Sequence, residues 1–289
     1  MNDRKPGGFR SNPNKNYIRS RIDKPLIRKW SENAGRHLEY LGLPGWEMLD
    51  IVEWQSFLAN FSTIEREERE QHRLYLTANV RDVEHRLHAL YGDFDDILIT
   101  GRDKYGRMPR WPYDVVNLDF YGGLLYSDLR RPMALRKLIE NQAAHERSFL
   151  LIVTHDLRDS DRGREKQSFL TDMHKFLARG ISMRASTIAL DWYERADTPD
   201  AARQSVYTNV FLHDVGENHQ FHVTCRTPLV YVGTGGTKMI HYTTDFAFRR
   251  AAHRIVSDQS IVDILNLGVH EVADERVLVA FETPYFGIA

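Results

Sequence analysis

The sequence predicts an α/β domain with a doubly wound, mostly parallel sheet of seven strands that ends in an antiparallel hairpin. From His37 onward, short apolar runs alternate with longer amphipathic runs, which is the pattern of strand-helix-strand units. Residues 148–154 are almost continuously apolar, which is typical of a strand buried on both faces. Residues 113–119 (Tyr-Asp-Val-Val-Asn-Leu-Asp) also predict a buried strand. Two further β-rich runs flank residues 233–236 and predict the closing hairpin.

The elements follow from these patterns in chain order. Strands are predicted at residues 38–43, 61–65, 87–91, 113–119, 148–154, 221–232 and 237–244. Helices are predicted between them, at residues 46–58, 66–79, 132–144, 164–179 and 201–212. Residues 101–112 are rich in Arg, Gly and Pro and predict a loop. For the last part of the chain, the pattern suggests a helix near 261–267 and a strand at 277–281.

Composition divides the chain into a basic N-terminal arm (1–30), the α/β domain (31–250) and a C-terminal extension (251–289). Residues 1–30 contain nine Lys or Arg and two acids, although the net charge of the chain is -1. Residues 1–16 are rich in Gly, Pro, Asn and Lys, so we expect them to be flexible unless a partner orders them.

The same composition limits the cellular setting. The longest apolar runs, such as residues 149–153, are far shorter than the roughly 20 residues of a membrane-spanning helix. The single cysteine, Cys225, cannot form an internal disulfide or a thiolate cluster, so we expect a cytoplasmic protein. The 13 histidines show no H-E-x-x-H spacing, and no metal site is expected.

The candidate site residues are those that follow each predicted strand, because open α/β sheets bind ligands at the carboxyl ends of their strands. After the first strand, Gly42 and Gly45 would let the backbone approach a ligand closely. Glu65 lies twenty residues after Gly45, which is the position and residue type that accepts hydrogen bonds from a ribose diol. Asp93 is placed to accept from an adenine amino group, and Asp119 points into the centre of the cleft.

This arrangement resembles the class I S-adenosylmethionine-dependent methyltransferases, which have a Rossmann-like sheet of seven strands ending in an antiparallel hairpin. The resemblance covers roughly residues 37–250 and implies S-adenosylmethionine as the cofactor. It assigns Gly42 and Gly45 to the first loop, Glu65 to the ribose, Asp93 to the adenine and Asp119 to the motif after the fourth strand.

Residues 117–122 (Asn-Leu-Asp-Phe-Tyr-Gly) resemble the Asp-Pro-Tyr-Gly loop of family members that methylate nitrogen on nucleic-acid bases, without its proline. The resemblance therefore implies that Asp119 and Tyr121 position the accepting nitrogen. It also implies a nucleic-acid methyltransferase.

Structural roles remain open for each of these residues. Glu65 begins a run of charges that is also typical of a solvated helix face. Asp93 also suits the N-cap of a following helix. A buried Asp119 would need a polar partner in any fold. For the whole chain, the alternative function is a catalytically silent Rossmann-like subunit that binds or scaffolds a larger complex.

The basic arm supplies the candidate contacts to nucleic acid. Its cations can neutralise phosphates, while Phe9 and Tyr17 can stack on bases. A solubilising tail or a dock for an acidic protein is the alternative. The cations of the arm are Arg4, Lys5, Arg10, Lys15, Arg19, Arg21 and Lys24.

Overall fold

The computed structural model describes residues 12–120, 124, 130–157, 185, 187–189, 191, 200–233, 236–250 and 258–281. Within these ranges, no helix combines the length and the apolar character that crossing a bilayer requires.

One ten-stranded sheet forms the centre of the molecule. Its order is β10-β9-β7-β8-β5-β4-β1-β2-β3, and β6 also pairs with β8. The five strands β1 to β5 are parallel to one another, and β8 pairs antiparallel with β5, β6 and β7. The strands are β1 (Leu38–Gly42), β2 (Leu58–Glu65), β3 (Leu87–Tyr91), β4 (Val115–Asp119), β5 (Phe149–Asp156), β6 (Phe221–Cys225), β7 (Leu229–Val232), β8 (Lys238–Phe248), β9 (Val269–Ala273) and β10 (Arg276–Phe281).

This topology confirms the predicted doubly wound, Rossmann-like sheet with its antiparallel end, but the count of seven strands is wrong. The single run predicted at 221–232 is two strands, because Pro228 has no amide to donate to a ladder and interrupts the pairing. The C-terminal stretch adds β9 and β10, of which only the second was predicted. Since β9 pairs with β7, residues 269–281 belong to the same sheet.

Helices cover both faces of the sheet. On one face, α2, α3 and α4 bury Ile27, Ile51 and Leu74 against β1, β2, β4 and β5. On the other face, α5, α6 and α7 pack in a second core. The helices are α1 (Pro13–Tyr17), α2 (Lys24–Ala34), α3 (Leu49–Trp54), α4 (Glu68–Val80), α5 (Phe94–Thr100), α6 (Arg130–Ala144), α7 (Asp200–Asn218) and α8 (Asp258–Leu265).

Residues 12–34, called the N-terminal segment below, are helical and do not behave as the separate arm that was expected. Asn12 caps α1 by accepting a hydrogen bond from the backbone N–H of Lys15, and Pro13 occupies the first helical position. A π-helical stretch at Ile18–Asp23 leads into α2, which ends at Gly35 in the left-handed conformation. The expected flexibility is therefore wrong for residues 12–16, because the segment packs against the sheet. The helix predicted at 164–179 lies outside the described residues.

Candidate functional site

The carboxyl ends of neighbouring parallel strands form one edge, and the predicted site residues lie along it. Gly42, at the end of β1, pairs with Asn117 of β4, two residues before Asp119. On its other side Gly42 pairs with Thr63 of β2, two residues before Glu65. The sheet therefore brings Gly42, Glu65 and Asp119 to the same edge.

Asp93 extends this edge by one strand. Glu65 pairs with Tyr91 at the end of β3, and Asp93 follows two residues later. Because neighbouring strands are about 4.8 Å apart, Glu65 lies about 10 Å from Asp119 along the edge and Asp93 about 15 Å from it. An elongated ligand could therefore contact all three carboxylates.

The turn after β1 is shaped by its glycines. A Cβ atom at Gly42 would lie 2.1 Å from the hydroxyl oxygen of Tyr40 and 2.8 Å from the carbonyl oxygen of Asn117. Gly45 has a φ of 63°, the left-handed conformation that favours glycine. The side chain of Trp46 turns towards α4, where its ring lies 5.5 Å from the guanidinium of Arg73. Trp46 thus lines a groove with Leu76 and Val80 of α4, and it does not line the cavity beside Asp119.

Glu65 is the last residue of β2 and not part of α4, so the interpretation as a helix-face residue is wrong. One carboxylate oxygen accepts a hydrogen bond from the backbone N–H of Glu67 at 3.0 Å. Partial burial raises the pKa of Glu65 above its ordinary value. Nearby, the Thr63 hydroxyl is buried and has no hydrogen-bond partner. Both groups have capacity to accept hydrogen bonds from a ligand.

Asp93 is the N-cap of α5. Its carboxylate accepts a hydrogen bond from the backbone N–H of Asp95 at 2.9 Å, which confirms the capping interpretation. A cap uses one oxygen, so a contact with adenine stays a prediction that the geometry of the edge permits.

Asp119 lies where the N-terminal segment crosses the edge, and its carboxylate pairs with the ammonium of Lys15. The Lys15 and Asp119 side chains are 27% and 13% exposed, so the pair is only partly hydrated. Tyr121, the second residue predicted to position the acceptor, lies outside the described residues. So do Arg4, Lys5 and Arg10.

A second buried ion pair lies beside the first. Arg19 binds Asp50, in the first turn of α3, and Asn117 donates a hydrogen bond to the other Asp50 oxygen at 2.8 Å. Burial alone would lower the pKa of Arg19, but the charge and hydrogen bond of Asp50 outweigh it and raise the value. Burial, together with the charge of Asp50, also raises the pKa of Tyr40 well above its ordinary value, so its hydroxyl stays neutral.

A third polar contact continues the row. Asp23 lies 3.0 Å from Nε2 of His241 in β8, and the Thr154 hydroxyl lies 2.9 Å from Nδ1 of the same ring. Lys15, Arg19 and Asp23 therefore point from one face of the N-terminal segment into the sheet. They leave a cavity of about 20 Å³ between themselves and β4, β5 and β8, which is room for about one water molecule.

Sequence reasoning missed this polar row. Lys15 and Arg19 were predicted to contact nucleic acid, and the structure instead places both in ion pairs inside the molecule. Lys24 likewise pairs with Glu53 at 2.8 Å, while Arg21 is exposed. The four-residue spacing of Lys15, Arg19 and Asp23 was the available signal, since it places polar residues on one helical face.

Metal-ligating groups lie elsewhere. Among the described residues, Asp82, Glu84 and His85 have ligand atoms within 4.8 Å of one another. All three are exposed and lie in the turn between α4 and β3, at the opposite end of the strand from the candidate site.

Comparison with known proteins assigns a family. The profile of the PP_RS20740-like family matches residues 11–210, more than half of the chain. The chain belongs to the PP_RS20740-like family. No curated protein matches its sequence significantly.

Solved structures with a similar overall arrangement are distant from this PP_RS20740-like chain. An O-methyltransferase from Bacillus cereus in complex with SAH is 11% identical, with a TM-score of 0.46 and coverage of 83% of each chain. Cofactor-bound Rv0187 from MTB is 13% identical, with a TM-score of 0.42 and coverage of 83% of this chain and 82% of that one. The 23S rRNA methyltransferase ErmE is 12% identical, with a TM-score of 0.40 and coverage of 83% and 72%.

In this PP_RS20740-like chain, the parallel strands follow the order β3-β2-β1-β4-β5, and β8 pairs antiparallel with β5. The edge offers hydrogen-bond acceptors at Glu65 and Asp93 and a carboxylate at Asp119 that already holds a cation. Such an edge can bind a polar, elongated ligand that carries hydroxyl groups at one end and a positive charge at the other.

Proposed function

We propose that the chain is an S-adenosylmethionine-dependent methyltransferase that acts on nucleic acid. The supporting observation is that Glu65, Asp93 and Asp119 follow three strands of the order β3-β2-β1-β4 and share one edge. Gly42 and Gly45 form the turn at the same edge, between Glu65 and Asp119.

The residues present suit the cofactor. Glu65 has acceptor capacity for the ribose hydroxyls, and the unpartnered hydroxyl of Thr63 is buried beside it. The cap at Asp93 leaves acceptor capacity for an amino group of adenine. When bound, S-adenosylmethionine supplies an activated methyl group on its sulfonium.

The chain's own residues would act mainly through placement. Asp119 would hold an amino group of the ligand or substrate in the position where Lys15 now lies, and Tyr121 would orient the accepting base. Methyl transfer to a well-placed nitrogen gains most of its rate from proximity and orientation. An extensive set of acids and bases is therefore unnecessary.

Titration calorimetry with S-adenosylmethionine and S-adenosylhomocysteine tests the cofactor. We expect both to bind, and we expect Glu65→Ala to weaken binding at least tenfold. The matched control is Glu68→Ala, which removes an exposed carboxylate three residues away. Equal affinities of the two variants would contradict the role of Glu65.

A transfer assay tests the substrate class. Methyl-tritiated S-adenosylmethionine would be offered with total RNA, sheared genomic DNA and bulk protein as separate acceptors. We expect incorporation into nucleic acid and a large loss in Asp119→Asn. Incorporation into protein alone would overturn the substrate assignment.

A second function is favoured by the ion pairs at the edge. Lys15 and Arg19 occupy the space beside Asp119 and leave only about 20 Å³, and Pro44 has no N–H to offer a ligand. These features suit a catalytically silent binding or scaffold subunit. Absence of any heat with either cofactor at saturating concentration, in a protein that melts cooperatively, would select this alternative.

A further inference from the structure

The loop between α5 and β4, residues 101–112, lies along the outer side of β3. The backbone N–H of Lys104 donates to the carbonyl of Tyr91 at 2.9 Å. Nε2 of His88 lies 3.0 Å from the carbonyl oxygen of Met108. The loop thereby covers the free edge of β3 and has a defined position next to the candidate site.

A single buried carboxylate fixes the shape of this loop. Asp103 accepts hydrogen bonds from the backbone N–H groups of Tyr91, Tyr105 and Arg107, and from Nε of Arg107. Burial alone would raise the pKa of Asp103, but these hydrogen bonds outweigh it and lower the value. The negative charge of Asp103 is thus neutralised by Arg107. The other cations of the loop therefore give it a net positive charge.

Three cations of the loop, Arg102, Lys104 and Arg110, are exposed. In the part of the chain that the structure describes, none of them forms an ion pair with a carboxylate. The pKa of His88 is lowered, first by burial and then by the charges of Arg110 and Arg107. A positive field at this edge of the sheet follows from both observations.

Aromatic side chains lie among these cations. Tyr105 is 61% exposed, and its ring stacks on Tyr91 with 5.3 Å between centroids and 29° between planes. The ammonium of Lys104 lies 4.5 Å from the centre of the Tyr91 ring. Met108 and Tyr75 are also exposed, at 56% and 40%. The loop therefore presents planar, apolar surface between positive charges.

We propose that the 101–112 loop is a binding surface for single-stranded nucleic acid. Phosphates would contact Arg102, Lys104 and Arg110, and a base would pack on the exposed part of the Tyr105 ring. Tyr91 and the Arg107 guanidinium, which lies 5.2 Å from the ring centre, cover the rest of that ring. Exposed aromatic side chains among cations are how proteins hold single strands, because the bases of a single strand have accessible faces. A duplex hides those faces, and a poly-glutamate peptide has no aromatic rings to stack on a tyrosine.

The position of the surface relates it to the proposed reaction. Tyr91, which pairs with Glu65 and contacts the loop, lies about three strand spacings, or about 15 Å, from Asp119 along the carboxyl edge. A single-stranded nucleic acid bound to the loop can extend along that edge to Asp119. The role of this surface in catalysis rests on the proposed function, but binding of the single strand can be measured without the cofactor.

Fluorescence anisotropy with the full chain tests the surface. The probes are a labelled 20-nucleotide single-stranded RNA, the DNA of the same sequence, the corresponding DNA duplex and a labelled poly-glutamate peptide. The variants are the triple change Arg102→Gln, Lys104→Gln, Arg110→Gln and the single changes Tyr105→Ala and Tyr105→Phe. The matched control replaces three exposed cations elsewhere by Gln, at Lys29, Arg81 and Arg249.

We expect the triple variant to weaken binding to single strands at least tenfold and the control triple, with the same net charge, to change it less than twofold. Each phosphate contact contributes about 0.7 to the slope of log affinity against log salt for single strands, so the slope should fall by about 2. Tyr105→Ala should weaken binding about fivefold or more, and Tyr105→Phe should retain it. The RNA and DNA arms identify which strand is preferred.

Equal losses of affinity in the two triple variants would show that net charge alone attracts the probe. That result would contradict the proposed binding surface. Binding of the duplex or the peptide as tight as that of the single strands would overturn it as well. Calorimetry with the cofactor separates the two proposals. If the chain binds single-stranded nucleic acid but not the cofactor, the binding surface is supported and the methyltransferase proposal is contradicted. If the chain binds the cofactor but the loop variants bind single strands as the wild type does, the methyltransferase proposal is supported and the binding surface is contradicted.

Discussion

At Gly42, the packing of the fold and the shape of the candidate site depend on one missing side chain. A Cβ atom here would lie 2.1 Å from the Tyr40 hydroxyl and 2.8 Å from the carbonyl oxygen of Asn117. Tyr40 can move, but the Asn117 carbonyl belongs to the β4 backbone, which pairs with β1 at this point. Any substitution therefore strains the pairing of β1 with β4.

We expect Gly42→Ala to reduce the free energy of unfolding by about 1–3 kcal/mol, the usual cost of overfilling a packed site. Urea unfolding measures it. Tyr40→Phe in the same chain removes the nearest atom and should restore only part of the loss. The ring carbon Cζ of residue 40, at 2.5 Å, and the Asn117 carbonyl remain close to the added Cβ. A Gly42→Ala chain as stable as the wild type would show that the backbone of β4 yields easily.

The Arg19 and Asp50 pair gives a second prediction for single residues. Their side chains are 9% and 10% exposed, so Arg19→Met leaves a buried carboxylate without its cation. We expect a loss of about 3–5 kcal/mol in the free energy of unfolding. Adding Asp50→Asn removes the unpaired charge and keeps an acceptor for Asn117, so the double variant should be more stable than Arg19→Met.

Lys24→Met is the control for that measurement. Lys24 pairs with Glu53, and these side chains are 39% and 32% exposed. Exposed pairs contribute about 0–1 kcal/mol, so this variant should unfold almost as the wild type does. If Lys24→Met and Arg19→Met lower the free energy of unfolding by the same amount, burial does not determine how much the Arg19 and Asp50 pair contributes to stability.

The raised pKa of Glu65 predicts a pH dependence. Its folded-state pKa lies above the ordinary value of 4.5, so the folded chain binds this proton more tightly than the unfolded chain. The contribution to stability is therefore present below pH 4.5 and is lost as the pH rises through the folded-state pKa. Relative to the wild type, Glu65→Gln should become more stable between pH 4 and pH 7, as measured by urea unfolding at both values. A difference independent of pH would contradict the raised pKa.

Residue patterns located the acids of the site but not their partners. Glu65, Asp93 and Asp119 were found because each follows a predicted strand, and the end of a strand is encoded locally. The cation beside Asp119 comes from Lys15, 104 positions away in the sequence. Such a pairing depends on how the N-terminal segment crosses the sheet, and no local pattern specifies that path.

At the N-terminus of α5, one residue, Asp93, has both a structural role and a proposed binding role. Asp93 caps the helix through the backbone N–H of Asp95, and it is also the predicted acceptor for adenine. Substitutions of different length can separate these roles, because a cap needs only a short acceptor while the ligand contact needs the reach of a carboxylate.

We expect Asp93→Ala to cost about 1 kcal/mol in the free energy of unfolding and to weaken cofactor binding. Asp93→Ser retains a capping oxygen, so it should unfold nearly as the wild type does and still bind the cofactor weakly. Thermal melts and titration calorimetry on the same samples provide both values. If Asp93→Ser binds the cofactor as tightly as the wild type does, Asp93 caps the helix and does not contact the cofactor.

The strands were predicted better than the N-terminal helices for a physical reason. β3 was predicted at 87–91 and is observed at Leu87–Tyr91, since a short apolar run flanked by polar residues has one stable arrangement in a sheet. Residues 12–16 contain Asn, Pro and Lys and have little helical tendency of their own. Their helix depends on tertiary contacts, among them Ile18 packing with Leu229 and Tyr231, and such contacts override local propensity.

At the scale of the whole molecule, the N-terminal segment joins strands that are far apart in sequence. Lys15 binds the acid at the end of β4, and Arg19 binds Asp50 in the first turn of α3. Asp23 and Trp30 contact His241 and Asp245 of β8. The segment therefore crosses one face of the sheet from its carboxyl edge towards the start of β5. The expected boundary at residue 30 followed composition, whereas these contacts make the segment part of the core.

Removing residues 1–34 should consequently do more than delete a basic arm. Asp50 and Asp119 would lose their cations, and the apolar surface that Ile18 and Ile27 cover would face water. Several kcal/mol of stability would be lost, and for a chain of this size each kcal/mol lowers the melting temperature by about 2–4 °C. We expect a fall of at least about 10 °C, or loss of a cooperative transition, in differential scanning calorimetry. The full-length triple variant at Lys29, Arg81 and Arg249 removes surface charge without removing these contacts, so it should melt within about 2 °C of the wild type. A truncated chain that melts as the wild type does would mean that the contacts of the N-terminal segment with the sheet do not stabilise the fold.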